Sequence, residues 1–328
     1  MKRRFAVLAV LALSILLPVC SWAHHGAVSL ALGPGSPIET ASPLSLPEGG
    51  FVVSTKLEYA PFRQFYSADP TNKESFTFYN LSLSYGIKPY LTASVVFPYS
   101  IKTQDNLGTN RGLGDIGLNA LLGFNYDPAK GFSLNKAEDT AVSLDEVRKI
   151  FFSFNGSVTF PTGRSHMELG GEIARDMQPG FRSPSFTLGI AAQRQMTRNL
   201  GLVAETSYQI FTQKDNFKFG NEWRLNLAGV YELYGKPGNF LQTIDGILEL
   251  NLLNIARDEE NGQKARASGG TILYISPGMR FSFPKLWNAN LGLLIKFPVA
   301  KHLNEKSEQQ GAEGLEKYRA IVTLSFFF

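Results

Sequence analysis

Cysteine occurs once in the 328 residues, at Cys20, so the chain can form no internal disulfide. Four histidines are spread too thinly for a zinc site, and no phosphate-loop or EF-hand spacing is present. Outside residues 5–19, no stretch approaches the roughly 18 consecutive apolar residues that a membrane-spanning helix needs. No long segment repeats its apolar residues with the 3.6-residue period of an amphipathic helix. Neither a metal nor a cofactor is therefore expected. What is abundant is Phe, Tyr, Gly and Asn, a composition of strands and turns.

The first residues read as an address. Met1-Lys2-Arg3-Arg4 is a short basic start, Phe5 to Val19 is apolar, and Ser21-Trp22-Ala23 is a small-x-small cleavage site. This is the pattern of a secretory signal peptide over residues 1–23, with cutting expected after Ala23. Val19 is too large for a lipoprotein cut before Cys20. Cleavage would remove the only cysteine and, with it, any thiol nucleophile. It would also remove Lys2, Arg3 and Arg4, taking 32 basic residues to 29 against 28 acidic, a formal +1 instead of +4. The basic balance is partly the signal's and gives no reason to expect a nucleic-acid partner.

Residues 24–48 carry Gly33-Pro34-Gly35-Ser36-Pro37 and Leu44-Ser45-Leu46-Pro47, which rule out regular structure. Two readings stand: a flexible periplasmic tail, or a segment folded into a barrel lumen as a hatch. His24-His25 lacks the further ligands that would make a metal site.

From residue 49 to 328 one pattern repeats. Apolar residues alternate with polar ones, the period of a strand. Strands are expected over 51–60, 76–87, 91–99, 115–126, 151–160, 186–193, 200–210, 217–233, 243–253, 271–283, 289–297 and 318–328. Twelve is an even number, as bacterial outer-membrane barrels require. Connections after strands 2, 6, 8 and 10 are short, and those after the odd strands are generally longer and more polar. That is the rhythm of short periplasmic turns and long outer loops. Residues 127–149 break it, being long where a short turn is expected; Ser143 and Glu146 could cap a short helix there. Tyr59, Tyr85, Tyr90, Tyr99, Phe124, Tyr126, Phe160, Tyr208, Phe211, Tyr231 and Tyr318 stand near strand ends, as interfacial girdles do. The fold class expected is an all-β, transmembrane, antiparallel up-and-down barrel of about 12 strands.

The last strand alternates Tyr318, Ala320, Val322, Leu324, Phe326 and Phe328 on one face. Its terminal Phe resembles the assembly signal of outer-membrane barrels, which makes Phe326 and Phe328 the expected contact for the barrel-assembly machinery. Outer-membrane lipid is the other expected partner, and the outer membrane of a Gram-negative cell the location.

Polar residues opposite the apolar faces would line the lumen: Glu205, Glu222, Arg224, Asp245, Glu249, Arg280, Lys296 and Arg319 are the selectivity candidates. Both signs occur, so they can equally be a salt-bridged interior that holds the wall. Gly112-Leu113-Gly114-Asp115-Ile116-Gly117 matches a dinucleotide fingerprint by letter, but a loop precedes it and a two-residue period follows, so the cofactor reading fails. Gly112 and Gly114 read instead as letting a loop turn into the wall, with Asp115 bonding nearby backbone or an inward Arg. His166 beside Ser165, with Glu168 and Glu172 nearby, is too loose to read as a catalytic set, and His302 stands alone, so no catalytic residue is assigned.

Gly112-Leu113-Gly114-Asp115, Phe160-Pro161-Thr162-Gly163 and Ser276-Pro277-Gly278 together resemble the MetA-pathway-of-phenol-degradation family, transporter-like outer-membrane barrels. The resemblance covers most of the chain after about Gly50. It implies passive uptake of small, aromatic or hydrophobic solutes. The tail is also similar to that of barrels that plug themselves, such as fatty-acid and hydrocarbon channels. The competing readings are a closed, salt-bridged structural barrel and a loop-borne, lipid-acting enzyme.

Overall fold

Every second side chain of residues 51–61 is buried, and the chain repeats this alternation eleven more times. In the computed structural model, which describes residues 37–63, 73–105, 107–136, 139, 149–169, 171, 175–266, 268–304 and 316–328, these segments form one closed antiparallel barrel. In chain order the wall is β1 Phe51–Pro61, β2 Lys73–Lys88, β3 Leu91–Gln104, β4 Gly117–Asp127, β5 Ile150–Thr159 and β6 Ser185–Gln195. It continues as β7 Leu200–Phe211, β8 Glu222–Gly235, β9 Thr243–Ile255, β10 Gly270–Phe283, β11 Ala289–Leu303 and β12 Arg319–Phe327. Residues 1–36, including the expected signal peptide and His24-His25, lie outside the described residues, as do Ser143, Glu146 and Glu172.

Closure is made by the chain's two ends. β12 pairs with β1 from Val52 opposite Phe327 to Tyr59 opposite Ala320. Phe51 and Phe328 exchange backbone hydrogen bonds of 3.0 and 2.8 Å. A closed ladder leaves no unpaired edge facing lipid, the condition a spanning β structure must meet. The outward residues are large and apolar: Leu188 is 71% exposed, and Leu233, Leu248 and Val299 are likewise exposed. Such a face is stable only against hydrocarbon.

All twelve expected strands are present, with ends displaced by up to six residues, and three details differ from expectation. The Gly112-Leu113 segment is not a loop: Gly108–Leu113 is itself a strand, pairing with the outer half of β3 from Tyr99 opposite Leu113 to Gln104 opposite Gly108. The eighth wall strand begins at Glu222, because Phe217–Lys218 pairs outside the wall with Glu259–Glu260, which continues to Gln263–Lys264. Left-handed Asp215 and Asn216 turn the chain there, and Gly220 passes so close to Ala256 that a Cβ would lie 1.9 Å from its carbonyl oxygen. Phe211 is no girdle residue; it is buried against Phe181 and Phe219. The long connection after β4 folds back as Gly131–Leu134 on β4, from Phe124 opposite Leu134 to Asp127 opposite Gly131.

Candidate functional site in the lumen

Residues 37–46 run inside the barrel. They enter at the short-turn end, which by the barrel rule faces the periplasm. Gly49, left-handed at φ 78°, donates to the Gly86 carbonyl (2.8 Å) and turns the chain inward. Gly86 must be glycine, since a Cβ there would lie 2.0 Å from the Pro47 carbonyl oxygen. From Ile38 to Leu46 the described residues are buried. The segment belongs to no sheet, so its amides depend on wall side chains for partners. Leu46 N donates to Thr92 Oγ1 (2.8 Å), and Ser45 Oγ donates to the Pro89 carbonyl. Ala41 N donates to Glu205 Oε2 (2.9 Å). The amides of Ile38, Glu39 and Thr40 donate to the Glu249 carboxylate at 2.8, 2.9 and 2.8 Å, and Thr40 Oγ1 adds a fourth bond at 2.5 Å.

Charge complements the backbone bonds. Glu39 accepts from Lys56 Nζ at 2.6 Å and from Lys296 Nζ at 3.0 Å. Burial alone would raise the Glu39 carboxyl, but Lys296 and Lys56 outweigh it and hold the group well below the usual carboxylate range. The segment thus joins β9 and β7, through its amides, to β11 and β1, through the Glu39 carboxylate.

The sequence candidates fall into two groups. Glu205, Glu249 and Lys296 hold the lumen segment. The others pair along the wall. Arg280 meets Asp245 directly across the β9–β10 ladder at 2.8 Å. Arg224 pairs with Glu222 two residues away on β8. Arg319 pairs with Glu58 on the neighbouring β1 and with Glu316, at 2.9 and 2.8 Å. Glu39, Lys56 and Glu58 were not among the candidates. One signal could have found Glu39: between residues 24 and 47 it is the only Asp, Glu, Lys or Arg. Below the segment, toward the short turns, lies a cavity of about 390 Å³ lined by Arg198, Asn199, Glu232, Asp245, Arg280 and Asn290 among others.

Toward the long loops the inner wall also carries an apolar patch. Ala60, Phe62, Phe76, Phe78 and Ile101 form a buried cluster, covered by Leu169 and Met177 of the connection after β5. Lys102 Nζ donates to the Asp176 and Gln178 carbonyls at 2.5 Å each, which holds that connection inside.

The Gly112-Leu113-Gly114-Asp115 motif fastens the same connection. Asp115 is buried and accepts from the amides of Gly163 (2.8 Å) and Phe181 (2.6 Å), so its partners are backbone, not an inward Arg. The glycines allow close approach: a Cβ on Gly112 would lie 2.7 Å from Arg164, and one on Gly114 3.1 Å from Pro98. Asp115→Ala leaves two partly buried amides without this acceptor, each costing up to about 1–3 kcal/mol. The variant is expected to lose its heat-resistant, fast-migrating gel form at a lower temperature. An unchanged melting profile would show that Asp115 holds nothing.

Ser165 Oγ lies 3.2 Å from His166 Nδ1, but the other ring nitrogen, Nε2, faces Arg182 at 2.7 Å instead of a carboxylate. Arg182 can only donate, so Nδ1 must carry the ring proton and donate to Ser165. That is the reverse of what activates a serine.

The family model described as MetA-pathway of phenol degradation matches residues 62–303, well over half of the chain. No curated protein matches the chain. The COG4313 outer membrane channel from Pseudomonas putida F1 is 13% identical and superposes with a TM-score of 0.63, over 90% of this chain and 100% of that one. At that identity the likeness establishes the fold, that of an outer-membrane barrel. The beta domain of the Bordetella autotransporter Brka (10% identity, TM-score 0.44, 86% and 100% covered) and the NanC porin (9%, 0.43, 84% and 98%) are more distant, and nothing is drawn from them.

Proposed function

The chain belongs to the MetA-pathway of phenol degradation family, and from that premise we propose that it is a passive outer-membrane channel for small solutes, closed by its own residues 37–48. One observation carries the reading. The wall's own ion pairs described above run along one strand or between neighbouring elements, whereas Glu39 joins separate arcs of the wall. A barrel built only to be solid needs no such removable bridge. The family's name supports aromatic compounds among the solutes. The charged ring at the segment's level favours solutes that carry ionised or hydrogen-bonding groups over plain hydrocarbons.

Planar-bilayer conductance tests this. The full chain is expected to be silent or rarely open, and a chain lacking residues 24–48 to carry steady current. Steady current from the full chain would sink the closure. Silence from both, with folding confirmed on gels, would favour the closed structural barrel.

A further inference from the structure

Glu39 and the amides beside it fill a site whose chemistry the wall dictates. Lys56 and Lys296, only 2% and 5% exposed, present two ammonium groups to one carboxylate. The Tyr274 ring lies 4.5 Å from Lys296 Nζ and steadies that ammonium. One residue's reach away, Glu249 and Glu205 present carboxylates to the amides of residues 38–41. Among the described residues no cation pairs with either acid. A buried carboxylate met only by neutral donors is less well compensated than one facing an ammonium. The wall is therefore better matched to a charged donor than to the amides that it holds.

We propose that this cradle is the channel's binding site for small zwitterions, and that residue 39 stands in it as a tethered surrogate of the solute. The carboxylate of the zwitterion would sit on Lys56 and Lys296, and its ammonium on Glu249, where the Glu39 amide donates. The spacing follows from glutamate's own skeleton: three carbons separate the Glu39 amide nitrogen, on Glu249, from the carboxylate carbon between the lysines. That is the skeleton of 4-aminobutanoate. A solute that takes both ends of the site displaces the segment, so the same contacts that recognise it also open the path. The inference rests on the reading of residues 37–48 as the closure. Because the tethered surrogate competes at an effective concentration of order millimolar, the displacing solute acts in that range.

The test uses the full-length protein in planar bilayers with 4-aminobutanoate, and with butanoate and butylamine as its two half-ligands. The zwitterion is expected to raise open probability about tenfold, equivalent to about 1.4 kcal/mol of differential binding, with little response to either half. Lys296→Gln is expected to abolish the response against its own baseline. Lys56→Gln serves as a second variant should the first fail to fold, judged by heat-modifiable gel mobility. Equal responses to all three probes, or none in a protein that Glu39→Ala opens, overturn the site. Should the chain lacking residues 24–48 stay silent, the closure reading fails and takes the site with it.

Discussion

Glu39→Ala is expected to turn a closed barrel into a conducting one. The substitution leaves Lys56 with Glu58 at 2.8 Å, but Lys296 keeps, among the described residues, only the face of Tyr274. Both ammonium groups are buried in the docked state, and breaking a buried pair by removing one partner costs about 3–5 kcal/mol. Charged against docking alone, that shifts the docked-to-released ratio by roughly a hundred- to several-thousand-fold. Release also rehydrates both lysines, which adds to the drive. The measurement is single-channel current from the otherwise intact chain. If Glu39→Ala stays silent while the chain lacking residues 24–48 conducts, the amide bonds alone hold the segment and the ion pairs are ornamental.

Glu249→Ala attacks the same segment from the other side and should free it from the wall. Four donors of the segment converge on that carboxylate, three amides and the Thr40 hydroxyl. Removing their acceptor leaves each to find water or remain unsatisfied, at about 1–3 kcal/mol apiece in a buried site. The segment can regain those bonds only by leaving. Thr40 is fully buried, so a Thr40→Cys reporter, in a background carrying Cys20→Ser, is expected to react slowly with a water-soluble thiol reagent. Adding Glu249→Ala should speed that reaction by at least about tenfold, the shift given by 1.4 kcal/mol. Equal rates in the two backgrounds would mean that Glu249 is not what secures residues 38–40.

Strand positions were legible because they depend on one local rule. A wall residue faces either lipid or lumen, and neighbours in sequence take opposite faces. Leu248, Glu249 and Leu250 illustrate it: the leucines are exposed on the outer face and the glutamate is fully buried inside. The rule failed where a segment left the wall. Phe217 and Phe211 fit the strand pattern as well as their neighbours do, yet one pairs in a small loop sheet and the other packs among buried rings. Gly112 and Gly114 looked like a loop because glycine weakens a strand. Their role is close packing against Arg164 and Pro98, which are distant in sequence.

The sequence by itself determined the barrel: alternation fixes which residues face lipid, and an even set of such strands whose ends can meet closes without an edge. It also placed Glu205, Glu249 and Lys296 on the inner face. Only the tertiary structure decided what those charges do. Lys296 stands opposite Arg319 in the ladder, a like-charged pair, and among the described residues no cation pairs with Glu249. Arg319 is met by Glu58 and Glu316 of the wall, whereas Lys296 and Glu249 find their partners in residues 38–40. Residues 37–48 have no period to reveal them, because a chain crossing a lumen satisfies each amide with whichever side chain it meets. Its bonds are set by the spacing of Glu249, Glu205, Lys56 and Lys296 in three dimensions, and that spacing exists only once the barrel has closed.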